Sequence, residues 1–136
     1  MVKRGSAIGF FGMFGRSEDM RRLDEAMRRF GLHPAQVPEA VKLATVGLMA
    51  ESANGEPPPA AYPAVGSFMA YCLMGEGEYA AVNGEGATDA MARRLERALD
   101  EGEGPDADLV LLFLHAKLVS PVLIDRYDLR AEDEPS

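Results

Sequence analysis

Apolar residues in this chain recur at steps of three and four. The runs they form are cut at short intervals by glycine or proline, which restricts the chain to short amphipathic helices. From Ser17 to Phe30, the residues Met20, Leu23, Met27 and Phe30 share one helical face. Ser17 is placed to cap that helix, Glu18 and Asp19 suit the positive end of its dipole, and Gly31 stops it. Its outer face sets Glu18 before Arg22, Asp24 before Arg28 and Glu25 before Arg29, the favourable i,i+4 order of a solvated surface.

The same reading carries through the chain. His33-Pro34 predicts a turn, and Pro38 opens a helix to about Ala53 whose Val41, Leu43, Ala44, Val46, Leu48 and Met49 form a face wide enough for two neighbours. Asn54-Gly55 ends it, and Glu56 to Pro59 run extended because consecutive prolines supply no backbone donors. Pro63 starts a third helix, with Val65, Phe68, Met69 and Cys72 on one face and an end near Gly75. One or two turns over Glu78–Val82 close at Asn83-Gly84. Thr88 then caps a helix with Met91, Leu95, Ala98 and Leu99 inward and Arg93, Arg94, Arg97, Asp100 and Glu101 outward or at its edges; Gly102 and Gly104 stop it.

From Leu109 to Leu114 the chain is apolar all round, and no turn signal interrupts it before Leu118. This predicts the central helix of the fold. Ser120-Pro121 caps a last short helix, Val122 to Tyr127. The expected architecture is all-α: one irregular, orthogonal bundle of five to seven short helices over residues 17–130, behind a Gly/Phe-rich arm at 1–16 and ahead of a frayed acidic tail at 131–136.

Composition narrows the function classes. With 22 acidic against 14 basic residues the formal charge is −8, which repels phosphate backbones, so no nucleic-acid partner is expected. One cysteine, Cys72, makes neither a disulfide nor a thiolate zinc cage, and it points to a reducing cytoplasm. Arg outnumbers Lys and Ala, Gly and Pro abound, as in a GC-rich bacterial coding sequence.

The triplets Gly75-Glu76-Gly77, Gly84-Glu85-Gly86 and Gly102-Glu103-Gly104 read as helix stops. The richest stretch, Asp100 to Leu111, has glycine at the third and fifth positions of a calcium loop and leucine at the twelfth, where a bidentate glutamate is required. No Gly-Lys-Ser/Thr follows a glycine run. His115, on the central helix, reads as a hydrogen-bonded core residue and His33 as a helix-terminus residue, so no metal or other cofactor is expected. Cys72 reads as a buried, unreactive thiol. An enzyme would have to work with carboxylates, Tyr62, Tyr71, Tyr79 or His115 in a pocket between helices, and no catalytic constellation marks one.

The N-terminus stands apart. Ala7 to Gly15 sets Phe10, Phe11 and Phe14 among glycines, behind Lys3 and Arg4. The stretch is too short to span a bilayer and lacks the longer core and small-residue cleavage site of a secretory signal. Three readings stand open: an arm folded back over the helices, a peripheral membrane foot, and a surface covered by a partner. Met13 is also a candidate natural start, with residues 1–12 as an upstream extension.

The functional expectation is a small, non-enzymatic, cytoplasmic helical protein acting through a protein partner or a homo-oligomer. The alternative is a peripheral membrane protein. In either case Ile8, Phe10, Phe11, Met13 and Phe14 are the expected contact residues.

Overall fold

The structure, a computed structural model, describes residues 17–129; the arm at 1–16, with its five contact residues, and the tail from 131 lie outside them. The described residues form six helices and no strand: α1 (17–29), α2 (Glu39–Ala53), α3 (Ala61–Asn83), α4 (Glu85–Glu101), α5 (Pro105–His115) and α6 (Pro121–Tyr127), with a single 3₁₀ turn at Pro34–Gln36. The all-α bundle expected from the sequence is what forms.

Helix α1 buries Leu23, Ala26 and Met27 and ends at Gly31, whose φ of +96° lets Leu32 N–H reach back to the Met27 carbonyl at 2.9 Å. Ser17 is already helical rather than the cap. Glu18 pairs with Arg22 at 3.3 Å and also with Arg21, but of the other two expected pairs Asp24 accepts from Lys42 of α2 at 3.1 Å, a link between helices, and Arg29 lies over the Phe30 ring, 5.6 Å from its centroid, instead of pairing with Glu25.

The centre of the molecule is α3, not the stretch from Leu109 to Leu118. Every residue from Val65 to Cys72 is buried, and α3 packs on α4, α5 and α6 as well as on α1. Small residues make this possible. A methyl group on Gly66 would sit 2.6 Å from Ala26 Cβ and 3.0 Å from the Ala26 carbonyl carbon, so the two helices approach to backbone contact there. In contrast α5 buries Ala107, Leu109, Val110 and Phe113 but leaves Leu111 half exposed, and it ends at His115. Its uniform hydropathy fills one side of the core and also coats part of the surface.

A break at Gly75 divides α3, where φ is +88° and ψ 168°. The segment entering α6 docks into that break: Ser120 N–H donates to the Cys72 carbonyl at 2.9 Å, while Ser120 Oγ accepts from Val122 N–H at 3.3 Å as the expected cap of α6. Any side chain at position 75 would strike Ser120 Oγ at 2.6 Å. Asn83 closes the end of α3 by donating to the carbonyls of Tyr79 and Phe30, which fastens it to α1. Helix α4 begins at Glu85, three residues before the expected cap; the Thr88 hydroxyl donates back to the Gly84 carbonyl at 2.7 Å instead.

Two glycines in helix interiors should respond oppositely to alanine. Gly66→Ala forces α1 and α3 apart and is expected to lose about 1–3 kcal/mol in urea unfolding. Gly47→Ala, on α2 with open space around it, should gain about 0.5–1 kcal/mol. Equal effects would show that the α1–α3 contact is not close.

Candidate functional site

A cleft of about 420 Å³ opens where the C-terminal half of α2, the start of α3, the middle of α4 and the start of α5 converge. Its base is Met49, Val65 and Leu109, all held in the core, beside the half-buried Leu48 and Ala61. Its edge is Ala53, Pro58 and Pro105, all exposed. Three polar residues complete the lining: Ser52, Arg94 and Asp106.

Arg94 organises the polar end. Its guanidinium donates from Nε to Asp106 Oδ2 at 2.8 Å and from Nη2 to Oδ1 at 2.9 Å, the two-pronged geometry that suits a carboxylate. A third bond, from Nη1 to the Ala64 carbonyl at 2.8 Å, joins it to α3, and its plane lies over the Phe68 ring with 4.4 Å to the centroid. Asp106 stands in the first turn of α5, where the helix dipole favours an anion. The pair therefore ties α4 to both α3 and α5 and presents no net charge to the cleft.

This site was not among the residues singled out in the sequence. Arg94 reads there as one cation of a solvated face. The available signal is the turn at Gly102 to Gly104, which folds α5 back along α4 and brings position 106 beside position 94.

The groups that drew attention in the sequence lie elsewhere. His33 is exposed before the 3₁₀ turn, where Nδ1 accepts from Ala35 N–H at 3.0 Å, and His115 is exposed at the C-terminal end of α5 rather than in the core. Among the described residues no group of three or more His, Cys, Asp or Glu side chains is placed to hold a metal ion. Of the Gly-Glu-Gly triplets, the first holds the α3 break, and Glu76 there accepts from Arg126 and, at 3.3 Å, from the Tyr71 hydroxyl. Gly84, Gly102 and Gly104 lie at helix ends. No helix among the described residues is long and apolar enough to cross a membrane.

Burial sets the acid–base behaviour of the interior. Desolvation pushes the Cys72 thiol up to about 12. Tyr62 rises to about 12 through burial and its hydrogen bond to Asp19; burial and the Glu96 partner take Tyr127 to about 12. Tyr71 rises as well, through burial and the neighbouring Glu76 charge. Each group is neutral in the fold, where its ordinary value of 9.0 for the thiol or 10.0 for a phenol is exceeded. The unfolded chain therefore loses these protons first, and stability falls as pH rises from about 9 toward 12. Urea midpoints measured from pH 8 to 11 should hold steady to about pH 9 and then decline. At pH 8 the thiol should react with a disulfide reagent only as fast as the protein unfolds.

The ion pair at the cleft supplies a second check. Arg94→Lys keeps the charge but loses the fork and the bond to Ala64, so a loss of about 1.5–3 kcal/mol in urea unfolding is expected. An unchanged midpoint would remove Arg94 as the fastening of α4.

Comparison with protein-family models, with curated proteins and with solved structures returns no match for this chain.

Proposed function

We propose that this protein is non-enzymatic and acts in the cytoplasm by binding a protein partner or a second copy of itself. The observation that carries the proposal is the outer face of α2. Ala40, Leu43, Ala44 and Gly47 face solvent there, and between Glu39 and Glu51 the helix carries one charge, Lys42, which is turned toward Asp24. Charged residues make up 26% of the chain, whereas Ala40, Leu43, Ala44 and Gly47 expose about two helical turns without a free charge. Loss of charge at the centre is the compositional mark of protein interfaces. The helix has the two neighbours its wide apolar face predicts, α5 and, through Lys42 and Asp24, α1, and this outer face stays exposed beyond both.

The test is the mass of the purified particle by light scattering, together with the stoichiometry of material purified from its source. Leu43→Glu and Gly47→Arg lie on this exposed face and should leave the fold intact, Gly47→Arg gaining helix propensity much as Gly47→Ala does. Both are expected to abolish the self-association or near-stoichiometric complex of the unmodified protein. A strictly monomeric particle without a partner overturns the reading. The peripheral membrane alternative rests on Ile8, Phe10, Phe11, Met13 and Phe14, outside the described residues; it would be favoured if the full chain floats with liposomes and a version beginning at Met13 does not.

A further inference from the structure

Independently of the α2 face, we infer that the cleft between α2, α3, α4 and α5 is a binding site for a small uncharged molecule with an apolar body and one neutral hydrogen-bonding group, an alcohol or an amide. The cleft's 420 Å³ lies within the roughly 300–1,000 Å³ of small-molecule sites. Its exposed edge admits a ligand without any opening of the fold, and Met49, Val65 and Leu109 give it an apolar base already fixed by the core.

The ion pair decides the ligand's charge. A guanidinium has five N–H groups. Arg94 donates two to Asp106 and one to Ala64, so two remain, and each Asp106 oxygen keeps a second lone pair. A ligand carboxylate would compete with Asp106 for Arg94, and a ligand ammonium would compete with Arg94 for Asp106. Either ion would also leave water for a cleft whose own charges cancel. A hydroxyl or primary amide avoids both costs, because it accepts from Arg94 and donates to Asp106 while the pair stays intact. The pair is therefore a preformed neutral recognition element: three hydrogen bonds and the Phe68 ring hold it in place before any ligand arrives.

The experiment uses the full chain and four probes of equal length: octan-1-ol, octanamide, octanoate and octylammonium. Calorimetric titration is expected to give one alcohol or amide per chain, each bound at least tenfold more tightly than either ion. Chemical-shift changes should centre on the methyl groups of Val65 and Leu109. Ala53→Trp fills the cleft from its exposed edge and Ala61→Leu from beside its base; both should remove binding while circular dichroism shows the helical fold retained. Tighter binding of an ion, undiminished binding by folded cleft-filling variants, or the absence of one-to-one binding by both neutral probes overturns the inference. If a variant fails to fold, the probe series and shift map on the unmodified chain still decide. None of these outcomes depends on Leu43 or Gly47, so failure here and failure of the association reading are separable.

Discussion

Ala26 rests against the bare backbone of Gly66, and this close approach lets α1 cover a helix that α4, α5 and α6 also cover. Only a helix with small residues at such points can be buried on every side, because each neighbour must come close without leaving a void. α3 supplies Gly66, Ser67 and Ala70 among its larger residues, and it spends Phe68, Met69, Tyr71 and Cys72 on the gaps around them. The break at Gly75 then lets the chain before α6 reach the Cys72 carbonyl, so the last helix is bonded to the middle of the core. The short 3₁₀ turn, the proline loop and the glycine ends are the connectors this arrangement requires.

Much of this was legible locally. The face of α1, its stop at Gly31, the end of α2 at Asn54-Gly55, the interruption at Gly75 and the Ser120 cap all depend on residues within a turn of one another, and they stand where the sequence put them. The centre was misplaced because hydropathy rewards large side chains. Leu109 to Leu114 outscores α3 on that measure, yet the interior position goes to the helix whose small residues permit close neighbours. Leu111 faces solvent because α5 has partners on only part of its circumference.

The cleft was illegible for a related reason. Its lining comes from four helices and a loop, and its chemistry lies in a pair joined across the α4–α5 turn. Asp24 shows the same limit on a smaller scale: the i,i+4 rule assigns it to Arg28, but the packing of α2 on α1 offers Lys42 in a less exposed setting, where the attraction is less screened by water. Local rules name every charge that can pair and are silent on which partner the fold brings near.

Net charge gives the two solvent-facing features a common logic. A chain at −8 repels other copies of itself and other acidic proteins at long range. Approach is least opposed where no uncompensated acid lies, and the outer face of α2 meets that condition through the uncharged Ala40, Leu43, Ala44 and Gly47. The cleft meets it differently, through Arg94 and Asp106 cancelling each other. Elsewhere acids collect, as along the depression between Glu76, Glu85 and Asp89. An acidic protein with a small core keeps itself apart by charge over most of its surface, and the places where that charge is absent or cancelled are the ones at which another molecule can settle with the least electrostatic cost.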